Sequence, residues 1–146
     1  DIKREKVASI AGVIEQAAKD SQPMTLRSQA VGFFPGVKNP RVLWTGISGQ
    51  TDALAELFGN IDRGLAVFAF PREKRPFTGH LTLGRIKTPR GLVGLARSME
   101  EAAEWEAGGF VAPELCLFKS DLTPQGAVYT KLATYPFGKE RREEGS

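Results

Sequence analysis

In His80-Leu81-Thr82-Leu83 the imidazole and the hydroxyl stand two residues apart, and on an extended strand residues two apart share a face. A His near neutral pH gives or takes a proton, and a Thr hydroxyl beside it hydrogen-bonds a phosphate oxygen. The pair amounts to half of a phosphoryl-transfer site, with Leu81 and Leu83 pointing into the core on the opposite face. Arg85 lies three positions from Thr82, on the wrong parity, so it joins this face only if a bulge or a strand end turns it. Gly79 and Gly84 flank the motif and permit a bend or a close approach. Phe77, just upstream, offers an aromatic ring on which a base can stack. A lone His and Thr on a half-buried strand are more often structural, so the surrounding chain has to decide.

The elements that must carry this strand can be traced by periodicity. Val7, Ile10, Ala11, Ile14, Ala17 and Ala18 recur at helical spacing, predicting a helix from about Lys3 to Ala18. Met24 to Phe33 and Arg41 to Ile47 read as strands around a Pro-Gly loop. Leu54, Leu57, Phe58 and Ile61 predict a second helix from Thr51 to Asp62, stopped at Gly64. Ala66 to Phe70 resembles the end of a strand, and His80 to Lys87 alternates as one. A third helix is expected from Leu92 to Ala103, ending before Gly108-Gly109. Leu115 to Phe118 and Ala127 to Thr134 read as a hairpin about Thr123-Pro124-Gln125-Gly126. The order αββα then βαββ, with short connections, predicts an α+β fold in which antiparallel or mixed sheet is covered by helices.

Composition narrows the chemistry. The 146 residues carry 20 Lys plus Arg against 17 Asp plus Glu. The excess is local: Arg72, Lys74, Arg75, Arg85, Lys87 and Arg90 face only Glu73 within one stretch around the histidine, a density that attracts phosphate. The chain has one His and one Cys, which excludes an internal disulfide, multi-cysteine zinc motifs and any site built from two histidines of one copy. Cys116, in an apolar strand, reads as an inert buried thiol. No apolar run approaches the ~20 residues that span a bilayer, so the expected home is the reducing cytoplasm and no membrane partner is expected. Trp44 and Trp105 read as packing residues, although Trp44 is placed to line a base pocket.

The segments Arg75–Lys87 (RPFTGHLTLGRIK), Leu117–Tyr129 (LFKSDLTPQGAVY) and Pro40–Gly46 (PRVLWTG) together resemble the two-histidine (2H) phosphoesterase superfamily. The nearest branch is the LigT-like RNA 2′,3′-cyclic phosphodiesterases, also described as 2′-5′ RNA ligases. The resemblance implies a bilobal α+β fold with pseudo-two-fold symmetry and two His-x-Thr motifs facing one another. One His would serve as base on water and the other as acid on the leaving ribose oxygen, with no metal and no cofactor. The substrate implied is an RNA end bearing a 2′,3′-cyclic phosphate, converted to a 2′-phosphate. His80 and Thr82 match the second motif, and Arg85 a basic residue after it; Arg75 and Phe77 are further candidates for phosphate or RNA contact.

The first His-x-Thr motif has no counterpart in this sequence. Residues 1–137 are therefore expected to form a single LigT-like domain truncated at its N-terminus, with 138–146 a disordered charged tail. Natural loss of the motif, or complementation by a second copy, are the other expectations. An exposed edge left by the missing segment would favour self-association. The rival readings are a noncatalytic RNA-binding module and a 2H enzyme acting on small cyclic nucleotides.

Overall fold

A computed structural model describes residues 2–88 and 90–138. Its elements are α1 (Arg4–Lys19), β1 (Met24–Phe34), β2 (Val42–Gly49), α2 (Thr51–Ala66), β3 (His80–Arg85), α3 (Leu95–Glu101), β4 (Glu106–Ala112), β5 (Glu114–Thr123) and β6 (Gly126–Pro136). The α+β class expected from the sequence is present. The chain divides into two compact units. One comprises residues 2–24, 56–76 and 112–138, the other 25–55 and 77–111.

In the first unit α1 packs against the antiparallel β5–β6 hairpin. Ala17 and Ala18, small enough to let backbones approach, are buried, as is Leu57 of α2. The hairpin turns at Pro124-Gln125, where the Thr123 hydroxyl donates to the Gly126 carbonyl at 2.6 Å. α2 runs on past Gly64 to Ala66, against the expected stop. A Cβ at Gly64 would lie 2.6 Å from Val13 Cγ1, so this glycine is a close-approach point between two helices and not a terminator. The expected strand end at Ala66 to Phe70 is instead the last helical residue followed by a turn over 67–69. Cys116 is half-buried, not sealed, with Sγ 3.9 Å from Thr134 Oγ1.

The second unit holds a four-stranded sheet in the order β3-β2-β1-β4, with β1–β2 and β2–β3 antiparallel. Met24 aside, its buried face centres on Leu26, Ser28 and Thr45. Thr45, 2% exposed, donates its only hydroxyl proton to the Ala30 carbonyl at 2.7 Å. Ser28 Oγ, 2.9 Å from Thr45 Oγ1, is therefore the donor of that second bond. Ala30 is the extra residue of a bulge between Gln29 and Val31, with φ of 62°; its N–H donates to the Trp105 carbonyl at 2.7 Å. β4 carries the Gly108-Gly109 pair, in a segment for which the sequence predicts no strand. The third helix is shorter than expected, beginning at Leu95 because Gly94 sits in the left-handed region. Leu81 and Leu83 are 48% and 52% exposed, contrary to the expected core placement. Leu81 lies opposite buried Thr45, but β3 is an edge strand and its outer side has little cover. Among the described residues no helix is long and apolar enough to cross a membrane. The tail expected over 138–146 falls, apart from Gly138, outside the described residues.

Candidate active site

The site is built from β3 outward. Strand register pairs His80 with Gly46, Thr82 with Trp44, and Arg85 with Val42. On β2, positions 42, 44 and 46 share a face, and residues opposite one another point the same way. His80, Thr82 and Arg85 therefore occupy one face of the sheet. The odd spacing of Arg85 is absorbed by Leu83, the unpaired residue of a bulge where Leu43 faces Gly84 and Trp44 faces Thr82. One extra residue reverses the alternation and turns the guanidinium onto the histidine's side.

All three side chains are exposed. His80 Nδ1 lies 2.9 Å from the Thr78 carbonyl oxygen. A carbonyl only accepts, so Nδ1 carries a proton, and in the neutral ring the lone pair sits on Nε2. The ring also meets the indole of Trp44 edge-on, with centroids 6.5 Å apart and planes at 62°. That indole is itself fixed: a Cβ at Gly32, directly across on β1, would fall 2.1 Å from Trp44 Cζ2. Trp44 thus lies flat over a residue that has no side chain. Gly79, just before the histidine, lies against Ile47 and Leu54, where a Cβ would be 3.2 Å from each. Gly84 has open space around it.

Farther along the same face, β1 contributes Gln29 and Arg27, opposite Gly46 and Ser48. The Ser48 hydroxyl donates to Gln29 Oε1 at 3.1 Å. Arg27 Nε donates to Glu106 Oε1 at 2.6 Å, a hydrogen bond that, with the adjacent negative charge, pushes the guanidinium pKa further up. Gln29 and Ser48 carry no motif, and only the register brings them onto the histidine's face.

The basic segment is partly neutralised. In the first unit Asp62 of α2 accepts from Arg72 Nε at 2.6 Å and from the Glu73 backbone N–H at 3.0 Å. These two bonds, the Arg72 one foremost, hold the Asp62 carboxyl below the usual carboxylate range. Glu73 in turn accepts from the backbone N–H of Arg75 at 3.0 Å and pairs with its Nε at 3.5 Å; the backbone bond leads in lowering its pKa. Arg75 thus sits in the unit that does not contain His80 and has an acidic partner there. Phe77 opens the segment leading into β3 and is partly exposed. Among the described residues Lys74, Arg85, Lys87 and Arg90 make no ion pair.

Comparison with known proteins places the chain in a family. Residues 2–124 match the family model of the 2′-5′ RNA ligase superfamily. An RNA 2′,3′-cyclic phosphodiesterase of Methanothermobacter thermautotrophicus is 29% identical over 135 residues, 92% of this chain and 72% of that protein. Another, from Aeropyrum pernix, is 35% identical over 104 residues, 71% of this chain, and the match spans 59% of its length. The crystal structure of Escherichia coli LigT complexed with 3′-AMP superposes with a TM-score of 0.68 at 19% identity, covering 94% of this chain and 72% of LigT. A family match over most of the chain, a shared fold, and the His80-x-Thr82 face with its bulge-turned Arg85 converge: the chain belongs to the 2′-5′ RNA ligase superfamily of 2H phosphoesterases.

Proposed function

We propose that this protein acts in the cytoplasm on RNA ends bearing a 2′,3′-cyclic phosphate, hydrolysing them to a 2′-phosphate by metal-independent histidine catalysis. The observation that carries the reading is the bulge at Leu83, since it adds the permanent charge of Arg85 to the exposed face that His80 and Thr82 already share. Water attacks phosphorus, the bond to the ribose 3′ oxygen breaks, and that oxygen leaves with a proton. His80, through Nε2, supplies one of the two proton transfers. Thr82 donates to a phosphate oxygen, and Arg85 neutralises charge that builds on the phosphoryl group. The names of the relatives support the substrate class.

One histidine supplies one of the two groups that the family reaction uses. General acid or base assistance is worth about 10²–10⁴ in rate, so the chain alone turns over slowly unless a second imidazole is brought to the site. A second copy is one source, and the exposed apolar side chains of the β3 edge, Leu81 and Leu83, favour association; sedimentation at several concentrations tests it. The rival reading is a noncatalytic module that holds RNA ends.

The deciding experiment incubates the protein and its His80→Ala variant with an oligonucleotide ending in a 2′,3′-cyclic phosphate and with the free cyclic mononucleotide. Turnover of the oligonucleotide that falls about 10²–10⁴-fold in the variant is the expected result. Salt-sensitive binding without turnover, unchanged by the substitution, would establish the binding module instead. Preference for the mononucleotide would move the substrate to small cyclic nucleotides.

A further inference from the structure

The face that carries His80 can be laid out as rows crossing β3, β2 and β1. Arg85, Val42 and Phe34 form one row, Thr82, Trp44 and Gly32 the next, and His80, Gly46 and Gln29 the third. Two of these positions lack a side chain. The space over Gly32 is filled by the Trp44 indole, whose Cζ2 lies where a Cβ would be. Gly46 is less covered: among the described residues, its chain neighbours aside, the only side-chain atom within 4 Å of its ideal Cβ is Trp44 Cζ3, at 3.8 Å, so the indole reaches its margin and does not fill the space above it. The result is an open floor beside the histidine, walled by the indole on one side and ended by the Gln29 amide two strands away. With neighbouring strands about 4.8 Å apart, His80 and Gln29 stand roughly 10 Å from each other, a span suited to a single nucleotide.

The amide at the far end is oriented. Ser48 donates to Gln29 Oε1 at 3.1 Å, so the oxygen is engaged and the Nε2 protons are the groups left to offer. We propose that the floor at Gly46 seats the base of the terminal nucleotide, and that Gln29 reads it by donating an amide N–H to an acceptor on the base edge. Trp44 limits how the base can slide, and Gly46 is required because any side chain would fill the seat; a Cβ there would also fall 2.8 Å from the Gln29 carbonyl oxygen. This inference rests on the RNA-end reading above and adds to it a residue that sets substrate choice without touching the reacting phosphate.

The test compares two oligonucleotides ending in a 2′,3′-cyclic phosphate, one normal and one whose last nucleotide lacks its base, with wild type and Gln29→Ala. Losing one hydrogen bond is expected to raise KM for the normal end about 3- to 10-fold with kcat unchanged, and to leave the abasic end unaffected. Binding to the corresponding 2′-phosphate ends, which needs no turnover, should show the same pattern in Kd. A Gln29→Ala effect of equal size on both ends, or none on either, would overturn the inference while leaving the RNA-end reading intact. Failure of the wild type to bind either oligonucleotide would overturn both together.

Discussion

His80 Nδ1 and the Thr78 carbonyl, 2.9 Å apart, leave Nε2 as the ring nitrogen with a free lone pair, and on the proposed reading it is the one that would move a proton. Arg85 is a permanent charge on the same face, at the other end of β3. Arg85→Ala removes a charged hydrogen-bond donor, worth about 1.5–3 kcal/mol. Affinity for a phosphate-ended oligonucleotide is therefore expected to fall about 10- to 100-fold, and the slope of log affinity against log salt to drop by about 1; titrations at several salt concentrations measure both. Asp62 makes the opposite kind of statement, about stability. Its carboxyl is held below the ordinary range by Arg72 and the Glu73 N–H, so the folded state binds that proton more weakly than the unfolded chain does. The resulting stabilisation is complete above the unfolded value of about 3.9 and disappears as pH falls through the lowered folded value. Asp62→Asn is expected to reduce the urea midpoint at neutral pH and to flatten its decline in acid. The His-x-Thr spacing was readable as a shared face because strand periodicity alone dictates it. Gln29 and Ser48 were not, since a partner on another strand leaves no trace in local spacing.

Among the elements, the long amphipathic helices and the Thr123–Gly126 hairpin were legible because each is specified by its own residues. β4 was hidden by Gly108-Gly109, a pair with poor strand propensity that the neighbouring β1 overrides through pairing. The Gly64 misreading has the same origin, for a helix contact from Val13 explains that glycine better than its local propensity does. The bulge at Leu83 decides the site, yet sequence showed only the parity problem that a bulge would solve. Gly32 offers a direct check on how β1 supports β3. Gly32→Ala drives a methyl into the Trp44 indole, and such overpacking costs about 1–3 kcal/mol. Denaturant unfolding followed by tryptophan fluorescence should show the loss. Because the indole abuts His80, kcat on the cyclic-phosphate end should fall as well, beyond what reduced stability at the assay temperature explains.

Across the whole molecule, charge is less available than its count suggests. Two of the six cations between Arg72 and Arg90 are tied to acids of their own unit, leaving Arg85 on the sheet face and Lys74, Lys87 and Arg90 without ion pairs among the described residues. The attraction for a polyanion therefore depends on fewer groups than the sequence implies, and its salt dependence should reflect that smaller number. The chain holds a single histidine, and its Nδ1 is occupied by the backbone. Electrophiles that modify imidazole, diethyl pyrocarbonate among them, accordingly meet one imidazole nitrogen with a free lone pair in this sequence. Carbethoxylation should give a single imidazole adduct, at Nε2, distinguishable from acylated lysines by its own ultraviolet band and its reversal by hydroxylamine, and a bound phosphate end should shield it.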